Sequence, residues 1–414
     1  MNNNAPIFFN KTGGNMKSIY FDINIPKILV TKALGGILPF VYYSPISPVS
    51  YSDIPERDLP SSRWVRVKSI LTGICGADIS MFFVKASPKI SIAALPGVPR
   101  AFMGHELIGR VVETGRNVKR LKVGDRVTLQ KYLPCCSMKE IDPPCPQCQE
   151  GNYTLCENFS VGALPENLGA GFGSHFIAHE TQLVKVPDEI PDEIAVLIEP
   201  ASVSLHAVLK RPPKAGEKVL VIGAGTIGLN VIQFAKIVTP KCKLYSLENI
   251  PFKKNLARKL GADILIEGDP YESIARETAS KLYRAPLGNK NMLGGFDLVY
   301  DCVGYSKTIH DSLRWLVAKG TYVMIGNQLE PVHFDQTPVW QQEITMVGIN
   351  AHGCEHFNGQ TISSFDLAIR MIEEGKIHLE GFVTHRFKLD DYKKAFQLVK
   401  EKSADVIKAV FDIQ

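Results

Sequence analysis

The chain has 414 residues, enough for two or three domains and a large buried core. Hydrophobic residues make up 45% and charged residues 21%, which excludes a disordered polar chain, and no apolar run is long enough to span a membrane. The net charge of +5 comes from 47 basic and 42 acidic residues mixed along the chain, so it leaves no basic footprint for nucleic acid.

Residues 1–28 show no clear period and read as an N-terminal extension. Met1-Asn2-Asn3-Asn4 does not open a secretory signal. From 32 to 74 short apolar stretches alternate with Pro and Ser, and Trp64-Val65-Arg66-Val67-Lys68 has the period-two pattern of a half-buried strand. Similar strands are predicted at 107–112 and 125–129, with Gly115 and Gly124 at the turns between them. A helix is expected over 189–209, from its apolar spacing and the acids near its start.

Val219-Leu220-Val221-Ile222 is wholly apolar, as in a parallel strand buried on both faces. Gly223-Ala224-Gly225-Thr226-Ile227-Gly228 follows at once, and Ile227, Val231, Phe234 and Ala235 then share one helical face. In a dinucleotide fold Gly223 permits the tight turn, Gly225 lets backbone approach a pyrophosphate, and Gly228 lets helix and strand pack closely. A glycine turn alone has a purely structural reading. Here the next predicted strand, 243–247, ends at Glu248, twenty residues after Gly228, where an acid accepts ribose hydroxyls and disfavours the 2′-phosphate of NADP. Lys253, nearby, is a candidate cation for that same phosphate.

A helix over 253–261 and a strand over 263–266 come next, then an irregular polar stretch to Gly295. Strands at 297–301 and 321–325 flank a helical face formed by Ile309, Leu313, Leu316 and Val317, so the region predicts a doubly wound parallel sheet. Beyond Ile344 the pattern is mixed: a strand at 345–350, helices at 365–374 and 390–402, and a strand at 404–411, read as a return to the first domain.

Two clusters suit metal. Cys75 lies between Ile74 and Gly76 just after a strand, and Gly104-His105-Glu106 opens another. A lone cysteine or histidine is more often a core residue, but Cys75, His105 and Glu106 together offer sulfur, nitrogen and oxygen, a mixed set that suits zinc with an open position. Glu199, before Pro200, is a further oxygen candidate. The second cluster is Cys145-Pro146-Gln147-Cys148 with Cys156 beyond and Cys135-Cys136 upstream. Four thiolates close a tetrahedral structural site; surface thiols or a disulfide are the alternatives, and either Cys135 or Cys136 can be the upstream ligand. Of nine cysteines, five lie between Cys135 and Cys156, and in a long chain without a secretory signal that crowding suggests metal and a reducing cytoplasm.

Taken together, Gly73-Ile74-Cys75-Gly76, Gly104-His105-Glu106, the cysteine-rich lobe, Glu199-Pro200, Ser204-Leu205-His206-Ala207-Val208 and the glycine fingerprint occur in an order that resembles the zinc-dependent medium-chain dehydrogenase/reductase family, in its polyol and threonine dehydrogenase branch. The resemblance covers most of 30–414. It implies an α/β architecture in which a GroES-like β-rich catalytic domain (29–207 and 345–414, zinc lobe at 135–156) is interrupted by a Rossmann domain (208–344). It further implies catalytic zinc on Cys75, His105 and Glu106, with Glu199 as a direct or water-bridged partner and Asp78 holding the His105 ring. Cofactor contacts fall to Gly223, Gly225, Ile227, Gly228, Glu248 and Lys253.

Two departures stand out. Ala77 replaces the family's proton-relaying Ser or Thr, and Asp142 occupies the offset at which the lobe's first cysteine pair is usually completed. The reading is a cytoplasmic, homodimeric or homotetrameric zinc enzyme that oxidises a secondary alcohol, polyol-, sugar- or cyclitol-like, with NAD, without nucleic-acid or membrane partners. The rivals are a same-fold lyase or enone reductase and a non-catalytic nucleotide- and zinc-binding protein.

Overall fold

The computed structural model describes residues 14–87, 99–130, 133–162, 164–401 and 405–413. Six strands form one parallel sheet in the spatial order Ile264–Ile266, Lys243–Leu247, Lys218–Ile222, Phe296–Asp301, Leu316–Met324, Thr345–Gly348. Numbered along the chain this order is 3-2-1-4-5-6, so winding reverses between Lys218–Ile222 and Phe296–Asp301, and ligands bind outside the carboxyl ends of the strands at such a point. Val219, Leu220 and Val221 are fully buried because helices cover both faces of the sheet.

The other large sheet has seven strands. Its path runs Val383–Lys388, Lys408–Asp412, Trp64–Gly73, Glu106–Thr114, Arg126–Leu129, Leu183–Lys185, and His175–His179 pairs beside Trp64–Gly73. All its pairings are antiparallel except that of Val383–Lys388 with Lys408–Asp412. The chain leaves this β-rich unit, builds the parallel sheet and returns to add its last two strands, as a GroES-like domain interrupted by a Rossmann domain requires.

Several expectations need correction. Residues 1–13 of the expected N-terminal extension lie outside the described residues, but Asn15–Asp22 is no extension: it is the central strand of a three-stranded sheet between Val49–Pro55 and Arg100–Phe102. Met16, Ile19 and Tyr20 are buried there. The helix expected over 189–209 is two, Asp192–Ala195 and Ile198–Lys210. Pro200 lacks an N–H and crowds the preceding turn, so a new helix must begin close before it. The polar stretch before Gly295 holds a helix, Pro270–Thr278, whose first turn is capped by the Asp269 carboxylate on Glu272 N at 3.1 Å, and a hairpin of Lys281–Arg284 with Lys290–Leu293.

Leu316 and Val317 open a strand rather than extend the helix Ser306–Arg314. Thr345–Gly348 pairs with the parallel sheet rather than with the first domain. The C-terminal elements shorten to a helix Tyr392–Lys400 and a strand Lys408–Asp412, and residues 402–404 of those expected elements lie outside the described residues.

The carboxyl end of Phe296–Asp301 is held by one buried side chain. Asp301 Oδ1 accepts from Val303 N and Gly304 N, both at 2.9 Å, and Oδ2 accepts from Tyr322 Oη at 2.9 Å. Asp301→Ala strands three donors in the interior, each costing about 1–3 kcal/mol, so unfolding midpoints in urea are expected to show a loss of at least about 3 kcal/mol. Asp301→Asn, which keeps an acceptor, loses less.

Candidate active site

One cleft of about 1980 Å³ runs between the two sheets and carries both the glycine turn and the first metal-type cluster. On the nucleotide side, Gly223 sits at φ +86°, a left-handed conformation that costs glycine nothing. A methyl at Gly228 would lie 1.8 Å from the Gly223 carbonyl oxygen, so the third glycine is what lets the helix Thr226–Val238 meet the turn. Nothing lies within 4 Å of a methyl at Gly225, which leaves the backbone there open to the cleft. Ile227 and Lys253 line the same wall.

Glu248 behaves differently from a free carboxylate. Its Oε1 accepts from Asn249 N at 2.6 Å and Ile250 N at 3.0 Å, and its Oε2 accepts from Ala224 N at 2.9 Å. With two acceptor sites per oxygen, one remains on Oε2 for a ribose hydroxyl. Glu248 thus also staples the glycine turn to the end of Lys243–Leu247.

Facing this wall, ligand atoms of Cys75, His105 and Glu106 lie within 4.8 Å of one another. Cys75 precedes the short helix Gly76–Phe82, and Glu106 opens the strand Glu106–Thr114, so two loops converge on one point. Asp78, buried, joins them: Oδ2 accepts from Cys75 N at 3.0 Å and Oδ1 from Gly104 N at 3.1 Å. Its place is therefore wider than the ring-holding one expected, although its charge also acts on His105. Burial pushes the Cys75 thiol up, while the imidazole of His105, hydrogen-bonded to Cys75, is held well above its ordinary value against burial by Cys75, Asp78 and Glu199. Sulfur, nitrogen and oxygen converging in this way fit zinc.

Glu199 does not join that three-residue group. It is buried in the first turn of Ile198–Lys210, close enough for its charge to act on His105, and burial pushes its carboxyl up to about 7.

The sequence reading missed Lys408. Its ammonium is buried, donates to the Ile74 carbonyl at 3.3 Å and pairs with the Glu106 carboxylate. Burial works against its charge, but Glu106 and Cys75 hold it charged. A single lysine in the otherwise apolar run Val406-Ile407-Lys408-Ala409-Val410-Phe411 was the available signal.

Cys136, Cys145, Cys148 and Cys156 bring their sulfurs within 4.8 Å of one another, and Cys135, though buried, is not among them. Cys136 and Cys156 Sγ are 3.7 Å apart, too far for a disulfide and close to the edge, about 3.8 Å, of a tetrahedron with metal–sulfur bonds of about 2.3 Å. The donor set fits structural zinc.

Residues 61–188 match the family model of the alcohol dehydrogenase GroES-like domain, and residues 226–373 that of the zinc-binding dehydrogenase. The chain is 31% identical to D-arabinitol dehydrogenase 1 of Uromyces fabae over 371 residues, covering 89% of this chain and 95% of the relative. It is 30% identical to (R,R)-butanediol dehydrogenase of Saccharomyces cerevisiae over 376 residues, covering 86% and 93%. The solved structure of 2R,3R-butanediol dehydrogenase from Bacillus subtilis, 24% identical, superposes with a TM-score of 0.70 over 96% of this chain and 99% of that one. The fold and the paired clusters define a zinc-type oxidoreductase built on a GroES-like and a Rossmann domain. The chain belongs to the zinc-dependent medium-chain dehydrogenase family.

Cys136→Ser is expected to cut the zinc content of purified protein from two ions per chain to one, whereas Cys135→Ser leaves two. Elemental analysis against protein concentration reads the difference, and equal losses in both variants would count against the assignment.

Proposed function

We propose that the chain oxidises a secondary alcohol of the polyol or sugar-alcohol class to its ketone with NAD, using Cys75, His105 and Glu106 as the ligands of a catalytic zinc and Cys136, Cys145, Cys148 and Cys156 as those of a structural one. The observation that carries this reading is that the sulfur–nitrogen–oxygen cluster and the glycine turn line one cleft. The named relatives act on arabinitol and butanediol, both secondary alcohols, which supports the substrate class.

Zinc held by the three residues would supply Lewis acidity toward an alcohol, and NAD would be the hydride acceptor. The protein's own work is to orient and to move a proton. Asp78 locks the Cys75 and Gly104 backbones so that the ligand atoms keep their spacing. Lys408 offsets the charge that Glu106 brings into the interior. Gly225 and the start of Thr226–Val238 would present backbone N–H groups to a pyrophosphate.

Ala77 lines the cleft without a hydroxyl, so the alcohol proton needs another acceptor. Glu199 meets that need, because a buried carboxyl with a pKa of about 7 is poised to take a proton near neutral pH.

Glu248 supports NAD over NADP, since its carboxylate repels a 2′-phosphate where its remaining acceptor site meets a hydroxyl. Nine cysteines and no disulfide among the described residues support a reducing compartment such as the cytoplasm. Among the described residues no helix is long and apolar enough to cross a membrane. A homodimer or homotetramer is supported by apolar surface at Ile37, 78% exposed, and Phe40, 62% exposed, and by the edge strand Thr345–Gly348. Light scattering on the purified chain tests it, and a monomer at micromolar concentration would rule it out.

The deciding experiment is NAD reduction across a panel of polyols, amino alcohols and cyclitols, with a chelator-treated control. Turnover on at least one secondary alcohol, lost on chelation, is expected; none on any of them would defeat the reading. NAD is expected to be preferred at least about tenfold over NADP in kcat/KM, and Glu248→Ala narrows that gap. In the same assay Glu199→Gln is expected to lower kcat at least about tenfold with zinc retained. The wild-type oxidation rate falls toward acid pH, because the protonated Glu199 carboxyl cannot accept a proton, and the variant lacks that limb.

A further inference from the structure

The thiolate lobe does more than close on itself. Between Cys148 and Cys156 its chain arches over the segment that follows the strand Thr345–Gly348. Thr154 Oγ1 is positioned to share its hydrogen between the Asn350 carbonyl at 3.0 Å and the His352 carbonyl at 3.1 Å. In return Asn350 Nδ2 donates to the Thr154 carbonyl at 2.9 Å, and Cys354 N donates to Asn152 Oδ1 at 3.2 Å. Ile349, Asn350 and Ala351 of this segment line the cleft.

Ala351 sits at φ +55°, a left-handed conformation that an alanine keeps only when its surroundings impose it. Just beyond, Glu355 Oε1 accepts from Ser364 Oγ at 2.8 Å and meets His206 Nδ1 at 2.6 Å, so the far end of the segment is tied to the helix that begins beside Glu199. The segment is held at both ends and strained in the middle.

Its place in the sheet says what it can touch. Glu248 ends the second strand of the parallel sheet, so the adenosine half of a dinucleotide belongs over the first three strands; the other half crosses the reversal point to strands four to six. Residues 349–351 follow strand six. We propose that Thr154 and Asn152 are positioning residues that brace 349–351 against the nicotinamide half of the cofactor, so that the lobe governs cofactor affinity as well as stability. This rests on the dehydrogenase reading above.

The test compares NADH with ADP-ribose, which keeps the adenosine, the pyrophosphate and the second ribose and lacks only the nicotinamide ring, by fluorescence titration and calorimetry on the full chain. Thr154→Val is expected to weaken NADH about fivefold to tenfold, as loss of a hydrogen bond does, and to leave ADP-ribose unchanged; Thr154→Ser restores NADH binding. Loss of the lobe metal in Cys136→Ser gives the same split, and combining it with Thr154→Val adds little. Should Thr154→Val not fold, Asn152→Ala must show the split instead. Unchanged NADH affinity, or equal weakening of both ligands, overturns the brace. A wild-type chain that binds ADP-ribose but no NADH overturns the dehydrogenase reading with it.

Discussion

The buried pair of Glu106 and Lys408 is the constraint on which the site depends. The two residues are 302 positions apart in the chain, and both are almost fully buried. An unpaired charge there would cost several kcal/mol, so neither can be placed without the other. Pairing them fixes the last strand against the strand that carries a predicted ligand, and the Lys408 bond to the Ile74 carbonyl adds the Cys75 loop to the same junction. One residue earlier, the Ile407 carbonyl accepts from Thr226 Oγ1 at 3.0 Å, which ties the start of the nucleotide-side helix to that strand. The two walls of the cleft therefore share an anchor, and their separation follows from it.

Charge is handled by position throughout this cleft. Asp78 spends both carboxylate oxygens on backbone N–H groups of the two loops that bear Cys75 and His105. Glu248 spends three of its four acceptor sites on the glycine turn and its own strand end. Asp301 does the same at the reversal point of the sheet. In each case a carboxylate that sequence reading would assign to a ligand or leave as ordinary is also a structural fastener. Burial pushes the Glu199 carboxyl up to about 7, and it pushes Asp78 up as well, although two backbone N–H groups work against it there.

The α/β alternation, the glycine turn and the cysteine-rich cluster were legible in the residues because each is a local signal, whereas Cys75 and His105, thirty positions apart, were joined only by ligand chemistry and family resemblance. An apolar run followed by Gly223, Gly225 and Gly228 reports a strand, a turn and a helix within a dozen positions, and the spacing of Cys145 and Cys148 is that of a chelate. The errors were also local in origin. Asn15–Asp22 hides its strand because its buried positions do not keep a strict alternation, and the helical stretch before Lys210 breaks at Val196-Leu197, shortly ahead of Pro200, which sits in the first turn of the second helix.

By itself the sequence determined the alternation of strands and helices in the nucleotide domain, the fold class and the residue types available for metal and nucleotide, since periodicity and ligand chemistry are properties of short stretches. Only the tertiary structure decided that Cys136 rather than Cys135 lies beside the other three sulfurs, that Glu199 stands outside the Cys75, His105 and Glu106 group, and that Lys408 reaches Glu106. Adjacent cysteines carry the same chemistry, and backbone direction alone chooses which sulfur turns inward. Glu199 and Lys408 are placed by packing between strands and helices far apart in the chain, and no pattern within a window of residues carries that distance.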